Sequence, residues 1–113
     1  MASHRLFVFT QPVEGKDAEY NDWYDKIHLK EVLEIEGFVA AQRFALAEGP
    51  ADGEAPVAPA PYVAIYEIEA ESMEQAMANL MGSSESMDMS DALDLTAAKT
   101  FAYTAIGEKQ HAG

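Results

Sequence analysis

The sequence predicts an α+β domain in which an antiparallel four-stranded sheet carries two helices on one face. The chain has 113 residues, which suits one domain spanning residues 1–113, because two domains would leave both hydrophobic cores too small. Four short segments have the side-chain pattern of strands, and two longer segments have helical periodicity. These elements follow the order β-α-β-β-α-β, which is the ferredoxin-like pattern.

Four segments rich in β-branched and aromatic residues are predicted to form the strands. They are residues 6–10, 38–46, 62–68 and 100–106. In the first strand Leu6 and Val8 share one face, whereas Phe7 and Phe9 share the other. Since both faces are apolar, we expect both to be covered.

Strict alternation sorts the side chains of the next two strands into faces. In the second strand, Phe38, Ala40 and Phe44 are predicted to lie on one face, and Ala41 and Arg43 on the opposite face. In the third strand, one predicted face holds Tyr62, Ala64, Tyr66 and Ile68.

Residues 16–35 have the pattern of an amphipathic helix. Asp17 and Glu19 lie near its positive N-terminal end, and Gly37 can adopt the left-handed conformation that ends it. The apolar stripe does not stay straight beyond Leu29, which predicts a kink or a restart there. The predicted inward stripe contains Tyr20, Trp23, Tyr24, Ile27, His28, Glu31 and Ile35.

A second helix is predicted to begin after Ser72, with Gln75 at capping-box spacing, and to continue to Gly82. Residues 48–61 are predicted to form a Pro-rich loop that serves as an insertion, a lid or an arm. Residues 108–113 are predicted to be a frayed or exchanged tail.

The composition restricts the partners of this chain. Its formal net charge is −13, and it contains no cysteine. An acidic surface repels nucleic acid and anionic lipid, and the lack of cysteine excludes disulfides and thiolate sites. No apolar run approaches the roughly 20 residues of a membrane-spanning helix, and the N-terminus lacks a secretory pattern. We therefore expect a cytoplasmic protein without nucleic-acid or membrane partners.

The two apolar faces of the strands predict a homodimer. Two helices can cover only one face of a four-stranded sheet. A second copy of the same sheet would cover the other face, so that the two sheets close into a barrel.

A more specific pattern occupies residues 21–44, NDWYDKIHLKEVLEIEGFVAAQRF. The Asn, the Trp-Tyr pair, the His followed by aliphatic positions, and the final Gly-Phe resemble the first helix and second strand of the dimeric α/β-barrel superfamily. The resemblance is closest to its EthD-like and stress-responsive barrel members. Lys30 and Glu36 depart from the pattern, since relatives often have proline at these places.

This superfamily includes polyketide cyclases, muconolactone-type isomerases, a sugar mutarotase, and haem-dependent and cofactor-free oxygenases. The resemblance implies a dimer in which a cavity between sheet and helices holds a small, mostly apolar organic ligand. It also implies that His28 points towards that cavity.

Three residues are candidates for catalysis. His28 is the first, because an imidazole exchanges protons near neutral pH. Tyr24 and Tyr66 carry phenols that could stabilise an enolate-like oxygen. The structural alternatives are a core or interface histidine and an aromatic packing cluster.

Five further residues are candidates for substrate binding or for orienting the imidazole. Tyr20 and Trp23 either stack on a planar ligand or pack the helix on the sheet, and Tyr103 would approach the same cavity from the last strand. Glu31 either orients the imidazole or is solvated. Arg43 either binds a carboxylate or pairs with an acidic neighbour.

Neither a metal nor a cofactor is expected. The three histidines lack metal-ligand spacing, and the acidic residues 88–94 lack the Gly and the terminal Glu of a calcium loop.

The candidates favour a cofactor-free enzyme that moves a proton beside a carbonyl of a small hydrophobic oxygenated compound. The compound would be aromatic, polyketide-like or a lactone, and the enzyme an isomerase, cyclase or lyase. A binding or stress-response module without chemistry is the alternative. A haem-dependent or cofactor-free monooxygenase ranks third, because Asn21, Trp23 and His28 lie in one helix here, whereas small haem-degrading relatives spread these residue types over separate elements.

Overall fold

The computed structural model describes residues 2–47 and 57–113, and their elements follow the predicted β-α-β-β-α-β order. Neighbouring strands are antiparallel, and their order across the sheet is β2-β3-β1-β4. The ferredoxin-like α+β fold is therefore confirmed. The strands are β1 (Ala2–Thr10), β2 (Phe38–Ala45), β3 (Tyr62–Ala70) and β4 (Lys99–Thr104), and the α-helical segments are α1 (Asp17–Trp23), α2 (Leu29–Leu33) and α3 (Met73–Ser83).

The hydrophobic core lies between one face of the sheet and the helices. Leu6 of β1 pairs with Tyr66 of β3, and each is only 2% exposed. Tyr20 of α1 packs against the same face, where its hydroxyl hydrogen-bonds with Thr10. The buried apolar side chains are Leu6, Tyr20, Trp23, Tyr24, Val32, Ile35, Phe38, Ala64, Tyr66, Ile68, Ala70, Ala76 and Ala92.

The opposite face of the sheet, which we call the open face, has no helix on it among the described residues. Phe7 pairs with Phe101 in the ladder, and both point to this face together with Phe9 and Tyr103. Phe101 and Tyr103 are 46% and 63% exposed. The predicted apolar character of both sheet faces is thus present, and one face is covered within the chain.

The prediction that Phe38 shares a face with Ala40 and Phe44 is wrong, because β2 contains a β-bulge. The register shifts between Phe38 and Ala40, so that Phe38 pairs with Ile68 on the helix side. Beyond the bulge, Arg43 and Phe44 lie on opposite faces, as predicted, with Arg43 on the helix side and Phe44 on the open side. A bulge inserts one unpaired residue and so reverses the alternation that follows it.

The ends of the helices follow their predicted signals. Gly37 has φ +96°, and the Ser72 hydroxyl accepts a hydrogen bond from the Gln75 N–H at 3.1 Å. No helix of the described ranges is long and apolar enough to cross a membrane. The tail 108–113 is exposed, and most of the predicted loop 48–61 lies outside the described residues.

Candidate active site

A π-helical turn, Tyr24–His28, joins α1 to α2. The N–H of Leu29 bonds to the carbonyl of Tyr24, five residues earlier. This wider turn is the physical form of the irregularity predicted near Leu29, and single π-helical turns are frequent at functional sites. The turn carries His28 at its end.

The imidazole of His28 lies against two aromatic rings of its own helix. It stacks on Trp23, with ring centroids 4.7 Å apart and planes 21° apart, and Tyr24 contacts it edge-on at 5.1 Å. Only 14% of the His28 side chain is exposed. This burial lowers the pKa of His28 below its ordinary value of 6.5, because it penalises the charged form. The neutral imidazole therefore predominates at pH 7.

Glu31 opposes that effect of burial. Its Oε1 lies 3.5 Å from His28 Nδ1, one turn away, and its negative charge favours the imidazolium. The distance is too long for a good hydrogen bond, and both atoms are buried without another partner among the described residues. Glu31 Oε1 therefore faces the imidazole without a direct hydrogen bond between the two groups.

The backbone of Asp88 completes this cluster. Its carbonyl accepts a hydrogen bond from Trp23 Nε1 at 2.7 Å, and its N–H donates to Glu31 Oε2 at 2.6 Å. Sequence reasoning missed Asp88, considering it only as a poor calcium ligand. Its backbone groups carry no residue-specific signal, so sequence alone could not reveal these contacts.

A tyrosine cluster adjoins His28 on the sheet side. The Tyr66 hydroxyl donates to the Tyr24 hydroxyl at 3.4 Å, and Tyr20 packs edge-on against Tyr24 at 5.7 Å. Burial raises the pKa of Tyr24 to about 12 and raises that of Tyr66 still further. Both phenols are therefore protonated near neutral pH and can act as hydrogen-bond donors.

Arg43 holds this cluster at the edge of the sheet. Its guanidinium carbon lies 4.5 Å from the centre of the Tyr24 ring, and its nitrogens donate to Asp25 and Asn21, each at 2.8 Å. Of the two predicted roles, pairing with an acidic neighbour is the one seen in this structure.

Not every predicted site residue reaches one place. The prediction that Tyr103 approaches the cavity of Tyr66 is wrong for a single chain. Tyr103 lies on the open face, where its ring packs edge-on against Phe7 at 5.3 Å. Alternation along neighbouring strands places the two tyrosines on opposite sides of the sheet.

A cavity of about 990 Å³ lies on the open face. Its lining includes Phe7, Phe9, Phe101 and Tyr103, with Arg5 among them. On the helix side, the buried tyrosines fill the space between α1 and the sheet. The described residues contain no group of three His, Asp or Glu side chains placed to hold a metal ion.

A scan against protein-family models found no match, and a search of curated proteins found no relative. Solved structures do match. An EthD family protein from Bacillus halodurans C-125 is 20% identical, with 97% of this chain and 100% of that chain covered and a TM-score of 0.59. A protein from Shewanella loihica PV-4, provisionally described as a monooxygenase, is 13% identical, with 96% and 99% covered and a TM-score of 0.58.

HapK from Hahella chejuensis matches over the full length of both chains, at 13% identity and a TM-score of 0.52. Similarities at this level of identity show the fold. The chain therefore has the ferredoxin-like α+β fold of an EthD family protein, and the resemblance drawn from residues 21–44 is confirmed for that fold.

Proposed function

We propose that the protein is an enzyme that acts on a small hydrophobic oxygenated compound by proton transfer at His28. The observation that carries this proposal is the pairing of a largely buried, neutral imidazole with a carboxylate at its Nδ1. A neutral imidazole can accept a proton from carbon beside a carbonyl group. That reaction serves isomerases, cyclases and lyases alike.

Each neighbour has a role in this proposal. Trp23 and Tyr24 fix the plane of the imidazole through their ring contacts. When Nε2 takes the proton of the substrate, the Nδ1–H points to Glu31, and the 3.5 Å contact shortens as the imidazolium forms. Glu31 thereby stabilises the charge that develops on His28 without itself accepting the proton.

In this proposal the tyrosines would stabilise the negative charge that proton abstraction leaves on the substrate. Proton abstraction beside a carbonyl leaves negative charge on the carbonyl oxygen, and a protonated phenol stabilises it by donating a hydrogen bond. Tyr24 stands next to the imidazole, and the hydroxyl of Tyr66 supports the hydroxyl of Tyr24. Because both phenols have raised pKa values, they remain donors over the pH range in which His28 is neutral.

We infer further that two copies join through their open faces. The exposed aromatic side chains of this face and its cavity of about 990 Å³ support this inference. In such a dimer each chain would cover the exposed aromatic side chains on the open face of the other.

The test replaces the base and compares it with a histidine outside the site. A panel of lactones, aromatic ketones and polyketide-like compounds is incubated with the protein, with His28→Gln and with His111→Gln. His111 lies in the exposed tail. We expect His28→Gln to lower kcat by roughly a hundredfold or more, and His111→Gln to act like the unaltered protein. Full activity of folded His28→Gln would reject the proposal.

A binding module remains the second candidate, and the position of the cavity favours it. The cavity on the open face lies across the sheet from His28, so a ligand held there would be out of reach of the imidazole of the same chain. Mass spectrometry of gently purified protein would detect a retained ligand. Recovery of that ligand unchanged after long incubation would support binding, whereas consumption of dioxygen would indicate the oxygenase alternative.

A further inference from the structure

In the segment that follows α3, Asp88 is hydrogen-bonded to the first helix. Both backbone groups of Asp88 bond to side chains of that helix, the carbonyl to Trp23 and the N–H to Glu31. These two side chains lie on either side of His28, one stacked on its ring and the other at its Nδ1. The same backbone unit thus touches both groups that hold the imidazole.

The carboxylate of Glu31 is divided between two partners. Oε2 accepts the short bond from Asp88, while Oε1 is directed to the imidazole. A hydrogen bond to a charged acceptor is among the stronger contacts in a protein. The position of Oε1 at His28 therefore depends on the bond at Oε2.

This attachment has open space beside it. A cavity of about 220 Å³ is bordered by Glu31 of α2 and by Ile35 just beyond it, and on the other side by Ser83 at the end of α3 and by Ser86 and Met87 after it. The segment around Asp88 is held there by these hydrogen bonds and by Met87, which packs against the hydrophobic core.

We propose that Asp88 is a positioning residue whose backbone fastens the segment after α3 over the first helix and thereby holds Glu31 against His28. The inference deepens the proposed function, because it names what controls the base, but its test needs no substrate. The side chain of Asp88 takes no part in either bond. The titratable groups that contact His28 are Glu31 and Tyr24, and both come from its own helix. The opposing segment contributes the uncharged backbone of Asp88, whose residue is exposed.

The experiment removes the N–H of Asp88 and leaves the rest of the chain unchanged. Asp88→Pro deletes this donor, and Met87 already has the extended backbone, φ −80° and ψ 143°, that a residue before proline adopts. Asp88→Ala keeps the N–H and is the matched control. Glu31→Gln keeps the shape and an acceptor oxygen but removes the charge. The readout is the pKa of His28 from an NMR titration, with the resonance assigned by its loss in His28→Gln.

Both test variants should lower this pKa. Asp88→Pro should lower it because a carboxylate that is no longer held at Oε2 loses its place at Nδ1, and Glu31→Gln should lower it because it removes the negative charge. In a chain that already carries Glu31→Gln, Asp88→Pro should lower the pKa of His28 no further. Asp88→Ala should leave it unchanged. Identical titrations of Asp88→Pro and Asp88→Ala would overturn the proposal.

If Asp88→Pro does not fold, hydrogen exchange of the Asp88 amide in the unaltered protein tests the same hydrogen bond to Glu31. The amide should exchange slower than an unprotected amide by roughly tenfold or more. An unprotected Asp88 amide would overturn the proposal. The test is also independent of catalysis. If His28→Gln is fully active while the Asp88 and Glu31 variants show the expected pKa shifts, only the proposed proton transfer at His28 is rejected. If His28→Gln is inactive while the pKa of His28 does not move in those variants, only the proposed role of Asp88 is rejected.

Discussion

The imidazole of His28 stacks on the indole of Trp23, with centroids 4.7 Å apart. In a regular α-helix, side chains five residues apart point about 140° away from each other. The π-helical turn Tyr24–His28 widens the helix and brings the two rings onto one side. The candidate site is therefore built on a local departure from regular helix geometry.

The burial of His28 predicts a loss of stability in mild acid. Because its pKa is lowered in the folded state, the unfolded chain binds this proton first as the pH falls below about 6.5. The contribution of His28 to stability is present above that pH and is lost below it. Urea unfolding at pH 7 and at pH 5 should show a smaller decrease for His28→Gln than for the unaltered protein. His111→Gln should retain the full decrease, and an equal decrease in all three would contradict the prediction.

The raised pKa of Tyr24 predicts a loss of stability at alkaline pH. The folded-state pKa of about 12 lies above the ordinary value of 10.0, so its contribution is fully present below pH 10 and is lost as the pH rises through 12. The shift corresponds to about 3 kcal/mol. Tyr24→Phe should reduce the alkaline loss of stability, as measured by circular dichroism. An unaltered alkaline transition in this variant would show that other groups control it.

Arg43 should contribute to stability through both its hydrogen bonds and its ring contacts. We expect Arg43→Met to cost about 1–3 kcal/mol, because it leaves Asn21 and Asp25 without their donors and removes the cation from the Tyr24 ring. Asp25→Asn is the control, and it should cost less because the side chain of Asp25 is 60% exposed. Chemical denaturation ranks the two variants, and the reverse order would refute the ranking.

The proposed dimer can be tested by a charge on the open face. Phe101→Glu should convert a dimer into a monomer in sedimentation experiments, because burying an unpaired carboxylate is costly. Ile27→Glu places the same charge at a 37% exposed position of the first helix and should leave the dimer intact. A monomer at micromolar concentration for the unaltered protein would exclude the dimer.

Gly37 should resist substitution for conformational reasons. Its φ of +96° is unfavourable for other residues, while a Cβ there would meet its nearest atom, the Glu69 carbonyl oxygen, at an ordinary 3.5 Å. Gly37→Ala should therefore cost about 1–2 kcal/mol from backbone strain. Gly82, in α3, has open space and no positive φ, so Gly82→Ala should be neutral or stabilising. Thermal melting compares the two.

Local signals in the sequence were sufficient for the element order and the helix ends. Ser72 and Gly37 act through their own backbone neighbourhood, so their roles could be predicted. The pairing of His28 with Glu31 follows from helical spacing. The contacts of Asp88 depend instead on how a segment distant in sequence packs against the helix. The face of Tyr103 depends on the register in which β4 pairs with β1, and alternation within one strand does not determine that register.

The β-bulge between Phe38 and Ala40 decides where a positive charge lies in this acidic molecule. With uninterrupted alternation from a buried Phe38, Arg43 would project from the aromatic side of the sheet and leave the tyrosine cluster without its cation. Because of the extra residue, the Phe38 ring and the Arg43 guanidinium both lie on the helix side of the sheet. Deletion of the unpaired Val39 would therefore turn Arg43 to the open face and Phe44 to the helix side if Phe38 stayed buried.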